Sequence, residues 1–195
     1  MDLFSGDPGP KSGAEDAVKP AQADYQLVDT VDKRKKLVAD LGKQKAFCFD
    51  TETTGLDANE AELVGVAFSY QAGQGYYVPI PDNHKAACLI MSDFQELFSH
   101  PKILKIAHNL KYDLTVLKWH EVEIAGPIFD TMLAHYLIEP DMRHGMDLLS
   151  ETYLNYRPVS IEELIGKKGK DQKSMRDVPV DEVKDYACED ADITF

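Results

Sequence analysis

Apolar and polar positions change rhythm several times along this chain. Lys45 to Phe49, Glu62 to Tyr70 and Gly75 to Pro79 are short apolar runs rich in aromatic or β-branched residues, and their spacing predicts a meander of three strands. Ile103 to Ala107 predicts a fourth strand, and the stretch near Ile128 a fifth. Between and after them the period lengthens. Tyr25 to Leu41 reads as a short helical segment, and Asn109 to His120 as a helix with Leu110, Leu114 and Leu117 on one stripe. Further helices are expected at Thr131 to Ile138, Met146 to Tyr156 and Ser160 to Ile165. Ser92/Gln95 and Ser160/Glu163 have capping-box spacing, the first opening a helix whose apolar face is Phe94, Leu97 and Phe98. Pro179, suited to a first helical turn, opens a last helix with no stop signal before Phe195. Strands first, then alternation, then helices make an α/β domain with a mixed five-stranded sheet flanked by helices.

The first 24 residues differ from the rest. Pro8, Pro10, Pro20, Gly6, Gly9 and Gly13 stand among polar and small residues, with Phe4 the lone aromatic, so residues 1–24 read as a flexible linker. Residues 25–195 are then a single folded unit, large enough to hold a core without staples. A linker at one end and an unterminated helix at the other are expected of a fragment of a longer, multidomain chain. Cys48, Cys88 and Cys188 are odd in number and far apart, which suits free thiols in the cytoplasm. No apolar run has the length of a membrane helix, and no signal-peptide order opens the chain.

The formal charge of −13 argues against a duplex-DNA binder that draws its affinity from many Lys and Arg contacts. It permits a metal-centred enzyme, because Mg²⁺ prefers hard oxygen ligands. Three constellations point that way. Asp50 and Glu52 close the first long strand in Phe49-Asp50-Thr51-Glu52-Thr53-Thr54-Gly55, and alternation puts both carboxylates on one face. Two such groups repel unless a cation lies between them. In His108-Asn109-Leu110-Lys111-Tyr112-Asp113 the amide, phenol and carboxylate of Asn109, Tyr112 and Asp113 share one helix surface, a set suited to a nucleotide. Tyr186 and Asp190 are one turn apart on the last helix, where a tyrosine can orient a water beside an acidic ligand.

Each constellation alone fits a bland reading, of a polar turn, an N-cap or an amphipathic helix. Their order and spacing together resemble the three motifs of the DEDDy exonuclease superfamily, which has the ribonuclease H-like fold. The run Asn109 to Asp113 (NLKYD), Phe129 to Leu133 (FDTML), Arg143 to Asp147 (RHGMD) and Gly166 to Gln172 (GKKGKDQ) resembles the proofreading 3′–5′ exonuclease domain of bacterial DNA polymerase I.

That resemblance implies two divalent ions, Mg²⁺ foremost with Mn²⁺ or Zn²⁺ as alternatives, held by Asp50, Glu52, Asp113 and Asp190. Tyr186 and Glu52 would orient the attacking water. Leu56, Asn109 and Tyr112 match positions that grip the terminal nucleotides, and His108 stands where relatives often carry glutamine. Met175 falls near a position where relatives place an aromatic residue against the substrate. The implied substrate is a single-stranded or frayed DNA 3′ end, released as nucleoside 5′-monophosphates. The implied partner is a polymerase domain of the same parent chain, with the fragment itself monomeric and no membrane involved. Lys167, Lys168, Lys170, Lys173 and Arg176 form a dense basic run, suited to steering a phosphate backbone or to a solvated loop face. The six histidines show no ligand spacing and read as structural or surface residues. Two rivals remain open at this point: an RNA 3′ exonuclease of the ribonuclease D kind, and a catalytically inactive structural domain.

Overall fold

The computed structural model describes residues 23–195. The expected linker therefore falls, except for its last two residues, outside the described part. Strands β2 (Ala46–Thr53), β3 (Leu63–Ser69) and β4 (Gln74–Pro79) form the antiparallel meander, while β5 (Leu104–Ala107) and β6 (Ile128–Asp130) add in parallel beside β2. These five stand where the apolar runs placed them.

A sixth strand corrects the expected count. β1 (Asp24–Leu27) pairs in parallel with β4, so the sheet runs β1-β4-β3-β2-β5-β6. The segment from Tyr25 to Leu41 is thus not helical throughout: α1 (Val31–Leu41) begins after Thr30, whose hydroxyl accepts from the Lys33 N–H. Four alternately exposed residues carry no local strand signature. It is the free edge of β4 that makes them one, through the Asp24 N–H to Gly73 and the Val28 N–H to Tyr77, both 2.8 Å.

A second correction lies between β4 and β5. Helix α2 (His84–Ser92), which the pattern did not suggest, is capped by Asn83 accepting from the Ala86 N–H. Ser92 ends this helix instead of opening the next one, its hydroxyl donating to the Leu89 carbonyl at 2.8 Å. The short α3 (Gln95–Phe98) follows without a side-chain cap. Phe94, Leu97 and Phe98 are nevertheless buried, as their spacing requires.

The two faces of the sheet hold different layers. On one, Phe47, Phe49 and Phe68 meet Phe94, Phe98 and the apolar side of α4 (Leu110–Trp119). Phe49 and Phe98 pack edge to face at 5.0 Å between centroids, and Phe68 stacks on Phe94 at 5.1 Å. On the other, α8 (Val180–Thr194) lays Val183, Ala187, Cys188 and Ala191 over Val64, Ala67 and Tyr77. Gly75 permits that close approach, since a Cβ there would sit 2.5 Å from the Cβ of Cys188.

α5 (Thr131–Ile138) borders β6 and is followed by α6 (Met146–Leu149), while α7 (Ile161–Ile165) packs Leu164 and Ile165 into the α8 layer near β1. α6 continues as a π-helical turn over Ser150–Leu154, stopped by Asn155 in the left-handed region. The three cysteines are free, with Cys48 and Cys188 buried. Among the described residues no helix is long and apolar enough to cross a membrane.

Candidate active site

Alternation along β2 sends Phe49 and Thr51 to the α4 face and Asp50 and Glu52 to the α8 face. There they meet Asp190. Oxygens of the three carboxylates lie within 4.8 Å of one another. Glu52 and Asp190 are buried, and Glu52 Oε1 has no hydrogen-bond partner.

The electrostatic consequence is large. Burial, reinforced by the charges of the other acids, holds the Glu52 and Asp190 carboxyls well above the ordinary range. Burial pushes Asp50 up to about 7, partly offset by a bond from the Thr51 backbone. Burial first, and the negative charge of Asp190 one helical turn away second, keep the Tyr186 phenol protonated far beyond its ordinary value.

Asp113 stands apart from this trio. It sits on α4, across β2, where its Oδ1 accepts from the Thr51 hydroxyl at 2.6 Å. It is 2 % exposed, and its carboxyl is raised by burial first and by Asp50 second. It therefore feels the cluster without sharing its tight geometry.

Leu56, Asn109 and Tyr112 line one open groove of about 560 Å³. Leu56 is 87 % exposed, so the groove has an unburied apolar wall. The Tyr112 hydroxyl donates to the Gly55 carbonyl and lies against the Thr53 hydroxyl, tying the groove to the end of β2. His108 does not reach this groove. Its Nδ1 pairs with Thr131 Oγ1 at 2.8 Å, and the ring lines a separate cavity of about 140 Å³ with Met146, Tyr153 and Ile193.

The basic run divides. Lys167, Lys168, Lys170 and Lys173 are exposed. Arg176 donates to the Ile80 and Leu63 carbonyls at 3.0 and 2.7 Å and so belongs to the framework. Met175 is 3 % exposed beneath α8, in the core and away from the groove.

Two residues escaped the sequence pattern. Glu189, next to Asp190, accepts from the Tyr156 hydroxyl and from the Val159 N–H at 2.6 Å. Asp130 accepts from backbone N–H groups at the starts of both α4 and α5. An Asp just before a helical run is an N-cap signal, so half of its role was readable.

An α/β sheet with two strand acids facing one helix acid defines a class of protein: a domain whose clustered carboxylates could hold a divalent cation. Residues 25–195 match the family described as 3′-5′ exonuclease, and the chain belongs to that family. It is 35% identical over 175 residues to DNA polymerase I of Borreliella burgdorferi, covering 88% of this chain and 19% of that protein. With DNA polymerase I of Pseudomonas aeruginosa it shares 32% identity over 184 residues, covering 90% of this chain and 20% of the relative. The chain thus spans about a fifth of the length of these relatives.

Among solved structures, Trypanosoma brucei RNase D aligns with a TM-score of 0.71 at 18% identity, over 88% of this chain and 62% of that one. Brucella melitensis NrnC with bound Mg²⁺ aligns with a TM-score of 0.64 at 24% identity, over 89% of this chain and 76% of that one. These likenesses show the ribonuclease H-like exonuclease fold.

Proposed function

We propose that this chain removes nucleoside 5′-monophosphates from single-stranded or frayed DNA 3′ ends, as the proofreading unit of a longer DNA polymerase I. The observation that carries the reading is the convergence of Asp50, Glu52 and Asp190 within 4.8 Å, with a buried Glu52 oxygen left unpartnered. Three acids so close and so little solvated are unfavourable alone and become favourable around a divalent cation. The donor set is all oxygen, which fits Mg²⁺ or Mn²⁺.

In this reading Asp50, Glu52 and Asp190 would hold one ion, and Asp50 with Asp113 would support a second. Bound cations would supply charge stabilisation to the phosphate and to the leaving 3′ oxygen. The protein's own residues do the rest. Tyr186, kept protonated by burial and by the charge of Asp190, orients the attacking water together with Glu52. Water oxygen bonds to phosphorus, the bond from phosphorus to the 3′ oxygen breaks, and the 3′ oxygen leaves with a proton. Leu56, Asn109 and Tyr112 hold the terminal nucleotides in the groove beside the acids. The exposed lysines at 167, 168, 170 and 173 draw the phosphate backbone in, while the rest of the longer protein supplies duplex affinity. Free thiols at all three cysteines suit a cytoplasmic protein acting as a monomeric unit.

A 5′-labelled single strand with Mg²⁺ tests the reading. The wild-type chain should give a ladder, and Asp50→Ala and Asp113→Ala should not; equal ladders from all three would overturn it. Matched DNA and RNA strands separate it from an RNA 3′ exonuclease. The polymerase relatives, at 35% and 32% identity, support DNA as the preferred strand.

A further inference from the structure

Asn109 occupies the N-cap position of α4 in the left-handed region, at φ 66° and ψ 43°, yet its side chain makes no capping bond. That region is uncommon for a residue with a Cβ, and asparagine enters it more readily than most, so what matters is what fixes it there. The holder is Asp130, from the end of β6. Its Oδ2 accepts from the Leu110 N–H at 3.0 Å, and its Oδ1 from the Asn109 N–H at 3.2 Å. The same Oδ1 accepts from the Met132 and Leu133 N–H groups at 2.9 and 3.2 Å, so one carboxylate caps α4 and α5 together.

The division of labour has a chemical result. An asparagine at this position ordinarily spends its side chain on the helix start. Here the cap is delegated to Asp130, which frees the Asn109 amide to address the groove it lines with Leu56 and Tyr112. Asp130 stands at the end of β6, so these two bonds tie the start of α4 to the sheet at Asn109 and Leu110.

We infer that Asp130 is a positioning residue for substrate: it holds Asn109 left-handed and so aims the Asn109 amide at the terminal nucleotides. This rests on the reading of the groove as the DNA-binding site. Asp130 lies outside the three-carboxylate group, so it governs grip more than chemistry.

The test is a double-mutant cycle on a 5′-labelled single strand with Mg²⁺. Asp130→Ala should raise KM by about tenfold and leave kcat within about threefold. Asp130→Asn keeps the Oδ1 acceptor and loses the bond to Leu110, so KM should rise only about threefold. Asn109→Ala alone should raise KM comparably, and adding Asp130→Ala to it should change KM less than about twofold further. Independent effects that multiply in the double variant, or a fall in kcat matching the rise in KM, would overturn the assignment.

Amide exchange at Asn109 and Leu110 supplies a readout that does not need activity. Faster exchange in folded Asp130→Ala supports the hold on the left-handed residue, and unchanged exchange overturns it. If the wild-type chain neither cuts nor binds a single strand, the nuclease reading fails by itself, and exchange at these two amides still decides whether Asp130 holds Asn109.

Discussion

Helix α8 carries buried acids of two opposite kinds within four residues. Glu189 is met by the Tyr156 hydroxyl and the Val159 N–H, and Asp192 by the Tyr25 hydroxyl and the Gly73 N–H. Asp190 instead faces Asp50 and Glu52. The paired acids bolt the helix to the loop after the π turn and to the edge of the sheet. The crowded one is a cost the fold carries. Burial alone therefore does not mark a functional acid; burial among like charges with an orphaned oxygen does.

Removing members of each kind should have opposite consequences. Asp190→Asn should lower exonuclease turnover by about a thousandfold or more, since the cation-binding trio loses a charge. The same variant should leave the metal-free chain as stable as wild type or more so, measured by urea denaturation with EDTA. A variant that keeps its turnover would dissolve the distinction between the two kinds of acid.

Next in size is Glu189→Ala. It abandons a buried phenol and a part-buried backbone N–H, and should cost about 3 kcal/mol in the same denaturation. Little change in stability would mean that water replaces the carboxylate at no cost.

A smaller effect sharpens the comparison through pH. Asp50 titrates near 7 when folded against an ordinary 3.8, so between those values the folded metal-free chain binds more protons than the unfolded one. Its stability should fall as pH rises through that window, the opposite of a salt-bridged carboxylate. Thermal midpoints at pH 5 and pH 8 with EDTA should show the drop, and millimolar Mg²⁺ at pH 8 should reverse it. A midpoint that rises with pH in EDTA would contradict the crowding.

Smallest is Tyr112→Phe, which loses the hydroxyl bond to Gly55 at the groove wall. About 1 kcal/mol of stability should go, with a weaker grip on single strands read by fluorescence anisotropy in Ca²⁺.

Much of this was legible in one dimension, because strand and helix periods are local. Five strands, α4, α5, α8 and the pairing of Asp50 with Glu52 on one face all follow from spacing along the chain. β1 was not legible, since four alternating residues become a strand only against the edge of β4. Ser92 looked like a helix start because the same hydroxyl that caps an N-terminus also bonds a carbonyl inside a C-terminal turn.

By itself the sequence determined which residue types could gather cations and nucleotides, and on which elements they ride. Tertiary structure alone decided their company. It brought Asp190 to Asp50 and Glu52, left Asp113 outside that trio on a bond from Thr51, and turned His108 into a different cavity. It also gave Asn109's capping duty to Asp130, 21 residues away. The reason is physical: periodicity fixes the face a side chain leaves from, whereas its partners depend on how layers pack, and packing is set by contacts far apart in the chain.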